Sequence, residues 1–208
     1  MNTAHNITTI IFDLSEVYLK GLYKVEEKLE PILNISSAEI FKILNLPEED
    51  KAFDLLMLGK ISEDEYWKKI LAATKWPISL DALKKAARDN FTEIEGTREI
   101  ILKLREKGLK LGLLSNHCKE WIGYCEKKFD YHKLFHETAY SFEIGASKPD
   151  KKSYQYILKK LNAKPKECLF IDDSKKNIQS AEKLGIKGIC FKTPSQLKKE
   201  LNKIEFEI

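Results

Sequence analysis

Four short apolar runs constrain this sequence more than anything else in it: TIIFD at 9–13, KLGLL at 110–114, CLFID at 168–172 and KGICF at 187–191. Each is strand-sized, and the last three are preceded or followed by a pattern of helical period. TREIILKLREKG (97–108) sets Ile100, Ile101 and Leu104 on one face and ends on Gly108, a residue suited to closing a helix. DSKKNIQSAEKLG (173–185) opens on Asp173-Ser174 as an N-cap pair and ends at Gly185. Short apolar strands alternating with capped helices predict parallel β-α-β units in a doubly wound, Rossmann-like α/β sheet.

The interval from 19 to 92 follows another rule. It holds helical patterns at 22–34, 36–45, 62–73 and 79–91 and no run that reads as a strand. Pro47, Gly59 and Pro77 punctuate it, while Trp67 and Trp76 offer bulk for a small separate core. The expected organisation is an α/β core domain from 1–18 and 93–208, with an all-helical cap domain, 19–92, inserted after the first strand. Such a block can cover the carboxyl edge of the sheet, where open α/β folds bind their ligands.

The chain has 208 residues, 43% of them hydrophobic, enough for one substantial core and a small second one. A third of the residues are charged, in near balance, with a formal net charge of +4. Nearly all the positive charge is lysine, the arginines being Arg88, Arg98 and Arg105. Lysine pairs such as Lys127-Lys128 and Lys175-Lys176 fall on amphipathic helical patterns and read as solvated faces, so no nucleic-acid partner is expected. Cys118, Cys125, Cys168 and Cys190 form no C-x-x-C pair, which fits reduced thiols in a cytoplasmic protein. No apolar run approaches the roughly 18 residues of a membrane span. The first residues lack a charged stretch leading into a long apolar one, so neither a membrane partner nor a leader is expected.

In a parallel sheet the strand ends share one edge. The first strand ends at Asp13, the second in LLSNH with Ser115 and Asn116, and the strand at 168–172 ends in IDDS, delivering Asp172 and Asp173. A GASKPD loop adds Lys148. A carboxylate can attack phosphorus and form an acyl phosphate, carboxylate-held Mg²⁺ offsets charge repulsion, and hydroxyl, amide and ammonium groups bear the phosphate oxygens. The set suits phosphoryl transfer.

These motifs, in the order FDLSEV, helical insert, LLSN, KPD and FIDDS, resemble the haloacid dehalogenase (HAD) superfamily over essentially the whole chain. FDLSEV, GKIS, LLSN and KPDKKSYQYIL are similar to small sugar-phosphate-type phosphatases with a helical cap and to the phosphatase domain of epoxide hydrolases. The resemblance implies Asp13 as nucleophile and magnesium ligand, Ser115 and Asn116 as phosphate holders, and Lys148 as the cation neutralising nucleophile and phosphate. It implies Asp173 as metal support with Asp172 its neighbour, the main-chain carbonyl of Ser15 as a further metal ligand, and Asn177 ordering that loop. The substrate class it implies is a small phosphorylated metabolite.

Ser15 departs from the pattern, because most phosphatases of this superfamily carry an acid–base aspartate there; losing such a group costs about 10²–10⁴ in rate. Strand alternation points the adjacent Glu16 elsewhere. Two other readings follow: a degenerate module that binds a phosphorylated ligand or a protein, and a 2-haloacid dehalogenase, which wants an early-cap arginine where the first arginine is Arg88. Plain structural readings also stand. Ser115-Asn116 would cap a helix starting near His117, Lys148 would be a solvated loop lysine, and Asp172-Asp173 would be an N-cap. His117, Cys118 and Trp121 read as helix surface or core.

Overall fold

A computed structural model describes residues 7–22, 24–44, 51–204 and 206; Pro47 and the last residue of the expected 36–45 helix lie outside the described residues. The chain runs β1 (Thr9–Phe12), β2 (Leu19–Lys20), α1 (Glu26–Leu33), α2 (Ser37–Leu44), α3 (Ala52–Met57), α4 (Glu63–Thr74), α5 (Leu80–Asp89) and β3 (Thr92–Glu93). It continues through α6 (Thr97–Glu106), β4 (Lys110–Ser115), α7 (Lys119–Phe129), β5 (Glu137–Tyr140), α8 (Ser141–Ile144) and α9 (Lys151–Leu161). It ends in β6 (Cys168–Asp172), α10 (Lys175–Glu182), β7 (Lys187–Cys190) and α11 (Pro194–Lys203).

Five parallel strands form one sheet in the order β5-β4-β1-β6-β7. From β1 the chain moves outward through β4 to β5, then returns across β1 to β6 and β7. The order therefore reverses at β1, and the crevice beyond its carboxyl end is where such sheets take ligands. Strand periodicity divides the core in two. Ile10 and Phe12 of β1, Leu111 and Leu113 of β4, and Leu169 and Ile171 of β6 cluster with residues of α6, α7 and α11. Ile11, Leu114, Cys168 and Phe170 join α9 and α10 instead. Burial on both faces is why these strands read as continuous apolar runs. At Gly112 a Cβ would stand 2.6 Å from Leu161 Cδ1, so glycine lets α9 lie this close to β4.

Four elements escape a periodicity reading. β2 and β3 pair antiparallel, Leu19 with Glu93 and Lys20 with Thr92, which corrects the expectation of no strand in 19–92. Two residues per strand carry no alternation to read. α3 is only six residues long. β5, with the sequence ETAY, is an edge strand whose first two residues are only half-buried, so it lacks an apolar run.

The expected separate core is also corrected. Trp67 and Trp76 belong to the same apolar cluster as Ile10 and Phe12. The bridge is Trp121 on α7, whose ring lies 6.3 Å from Trp67 and 5.9 Å from Phe91. Glu63, at the start of α4 and fully buried, accepts a hydrogen bond from Trp121 Nε1 at 2.8 Å and is ion-paired with Arg88, with Lys84 Nζ 3.8 Å away. Arg88 in turn lies over the Tyr124 ring at 5.5 Å. No helix among the described residues is long and apolar enough to cross a membrane.

Removing the Glu63 carboxylate leaves the Trp121 indole N–H and the Arg88 guanidinium without their buried acceptor. Glu63→Ala is expected to destabilise the protein by about 2 kcal/mol in denaturant unfolding, with a shifted tryptophan emission already in the folded state. A loss under about 0.5 kcal/mol, the range of a neutral surface change, would show that the carboxylate holds nothing.

Candidate active site

Three strand ends and one loop converge beyond β1. Asp13 follows β1 directly, its main-chain N–H bonded to the Ile171 carbonyl of β6 at 2.8 Å. Lys148 reaches in from the loop before α9, and its Nζ lies 2.7 Å from Asp13 Oδ1 and 2.7 Å from Asp172 Oδ2. The lysine side chain is 1% exposed, which rules out the solvated-loop reading. Asp172 is saturated by its own segment: it accepts from Ser174 N–H at 2.8 Å and from Asn177 Nδ2 at 3.0 and 3.1 Å. Asn177 thus orders the loop. Ser174, not the Asp173-Ser174 pair, caps α10, its Oγ accepting from Asn177 N–H.

Asn116 holds Lys148 by its main chain. Its Nδ2 donates to the Lys148 carbonyl at 3.0 Å and its Oδ1 accepts from the Lys148 N–H at 2.8 Å. Neither Ser115 nor Asn116 caps α7, which starts at Lys119 with Cys118 in the N-cap position. Ser115, 1% exposed, has no partner for its Oγ among the described residues. A buried hydroxyl without a partner is costly unless a ligand satisfies it.

The charges do not balance. One ammonium serves two buried carboxylates, with Asp173 beside them and exposed; oxygens of Asp13, Asp172 and Asp173 lie within 4.8 Å of one another. Burial pushes the Asp13 pKa up to about 7, Lys148 opposing the shift and Asp172 adding to it. Burial pulls the Lys148 ammonium down, but Asp13 and Asp172 outweigh it, and its pKa stands above the ordinary lysine value. Oxygen donors with a surplus of negative charge and an unpartnered hydroxyl at the next strand end fit a hard divalent cation and an oxyanion.

Two residues come into the site against expectation. Glu16 is no longer in a strand: it takes φ +57°, and its half-buried carboxylate accepts the Gly21 N–H at 2.8 Å and lines the same cavity as Ser15. Burial raises its pKa, the Gly21 N–H opposing. A left-handed glutamate leaves no mark in a sequence pattern. His117 is buried and lines that cavity too; burial lowers its pKa to about 4, so the ring is neutral near pH 7.

A family model described as haloacid dehalogenase-like hydrolase matches residues 1–191. Flavin mononucleotide hydrolase 1 of Arabidopsis thaliana is 25% identical over 150 residues, 72% of this chain and 60% of that protein, so the match spans less than two thirds of that relative's length. D-ribitol-5-phosphate phosphatase of Bacteroides thetaiotaomicron is 25% identical over 211 residues, 95% of this chain and 98% of that protein. A HAD family enzyme of the same organism, in complex with magnesium and inorganic phosphate, superposes with a TM-score of 0.75 at 26% identity, covering 90% of this chain and 95% of that one. The chain belongs to the haloacid dehalogenase-like hydrolase family.

Because the folded-state pKa of Asp13 lies above its unfolded value, the native state holds an extra proton between about pH 4 and 7, and stability falls as pH rises through that window. In chelator, the melting temperature is expected to drop between about pH 5 and 7.5, and Asp13→Asn is expected to flatten the drop. An unchanged slope in Asp13→Asn would place the proton elsewhere.

Proposed function

We propose that the chain is a magnesium-dependent phosphomonoesterase acting on a small phosphorylated sugar or polyol through an aspartyl phosphate on Asp13. The observation that carries this is the Lys148 ammonium held between Asp13 and Asp172, with a buried Ser115 hydroxyl at the end of the neighbouring strand β4 that has no partner among the described residues. Asp13 Oδ1 is held by Lys148 and the Leu14 N–H. The fixed carboxylate attacks phosphorus, the ester P–O bond breaks, and the leaving oxygen takes a proton from water. Water then hydrolyses the acyl phosphate and regenerates Asp13.

Lys148 and the Ser115 hydroxyl bear the phosphate oxygens, while Asn116 contributes by fixing the Lys148 main chain and with its remaining N–H. Asp13, Asp173 and the Ser15 carbonyl are the proposed Mg²⁺ ligands, and the ion when bound offsets the repulsion between Asp13 and the phosphate. Asp172 orients Lys148 and lies within reach of the same site.

The segment 19–92 is proposed as a cap over a core of 1–18 and 93–208, a division supported by the β2–β3 ribbon at its two ends. The relative that acts on D-ribitol 5-phosphate supports a small polyol or sugar phosphate as substrate. Four free thiols support a cytoplasmic setting. Arg88 is engaged by Glu63, which counts against a dehalogenase, whose halide needs a free guanidinium.

Ser15 supports a second reading, a module that binds phosphate esters without turning them over. Phosphate release from D-ribitol 5-phosphate and other small monoesters separates the two. The expected result is slow release that needs both Mg²⁺ and Asp13, vanishes in Asp13→Asn, and rises by about 10²-fold or more in Ser15→Asp. No release from the unsubstituted protein, with release by Ser15→Asp, would establish the binding module. No release from either would overturn the phosphatase reading.

A further inference from the structure

A cavity of about 320 Å³ is lined by Ser15 and Asn116, which follow the ends of β1 and β4, and by Asp54 and Met57 of α3 in the helical insert. That size sits at the low end of small-molecule sites, about 300–1,000 Å³. A phosphate ester seated at Asp13 and Lys148 would project its leaving group into this space. The polar lining is one-sided. Glu16 and Asp54 supply carboxylates, and among the described residues no lysine or arginine lines the cavity. His117, 4% exposed, lines it as well, and its Nδ1 has no partner among the described residues.

The two walls are tied together by one hydroxyl. Ser141 Oγ accepts the His117 N–H at 3.0 Å and donates to the Met57 carbonyl at 2.5 Å. Met57 ends α3, the short helix of the insert that carries Asp54. Phe91 and Trp121, with ring centroids 5.9 Å apart, provide an apolar side against which C–H groups pack.

We infer that this cavity takes an uncharged, polyhydroxylated leaving group, and that Asp54 is the insert residue that reads its hydroxyls. The inference rests on the phosphomonoesterase reading for the seat of the phosphate. Carboxylate oxygens and an unpartnered imidazole nitrogen are satisfied by O–H groups. A carboxylate or second phosphate on the substrate would instead meet two like charges in a lining without lysine or arginine among the described residues, Lys20 acting on Glu16 only from outside that lining. A short aminoalkyl group satisfies the charges but fills little of the space.

The test is calorimetric titration into the Asp13→Asn protein with Mg²⁺, so that binding is read without turnover. The probes are ribitol 5-phosphate, ribonate 5-phosphate, which differs only by a terminal carboxylate, and phosphoethanolamine. Ribitol 5-phosphate is expected to bind at least about tenfold more tightly than either. Adding Asp54→Lys is expected to reverse the preference toward ribonate 5-phosphate. Equal binding of the two five-carbon esters, tighter binding of phosphoethanolamine, no binding of any probe, or an unmoved preference in Asp54→Lys would overturn the assignment. The expected preference, with no phosphate released from ribitol 5-phosphate by the unsubstituted protein, would support the cavity assignment and overturn the phosphatase reading.

Discussion

A single buried ammonium between two buried carboxylates is the interaction on which this molecule's active edge depends. Lys148 comes from a loop, yet its side chain must end 2.7 Å from oxygens on two neighbouring strands. That is possible because Asn116, at the end of a third strand, grips the lysine's main chain from both sides. Every partner in this arrangement is set by the sheet, and the sheet's order brings these ends together. The remaining surplus of negative charge is what gives the site its appetite for a cation.

The sheet itself was legible where strands are buried on both faces. β1, β4 and β6 read as unbroken apolar runs because Ile10 and Ile11 face different helices, each inside a core. Their polar ends, Asp13, Ser115 and Asp172, could be placed on one edge by topology alone. β5 could not be read, since its first two residues, Glu137 and Thr138, are polar and half-buried, and β2 and β3 are too short to show a period. Within the site, residue identities and chain order carried the assignment of Lys148. Asn116's grip on the lysine main chain, the left-handed turn at Glu16 and the burial of His117 depend on conformation and packing, which no local pattern encodes.

The insert is joined to the sheet more firmly than its helical pattern implied. Trp121 lies on α7, the helix that follows β4, yet it packs on Trp67 and hydrogen-bonds Glu63 of α4. A carboxylate buried at such a junction is satisfied only while both sides are in place, so insert and sheet are coupled in stability. Ser141 adds a second tie close to the cavity.

The strand order also governs how the chain can come together during synthesis. β1 is made first but lies in the middle of the sheet, and Thr9 finds its neighbours only at Lys110 and Cys168. Both edges of the first strand therefore wait, unpaired, while the insert and the crossover helices emerge. An unpaired apolar strand is an adhesive surface. The nascent chain carries TIIF in that condition until β6 closes the second edge, so the strand that bears Asp13 is the one whose protection before folding matters most.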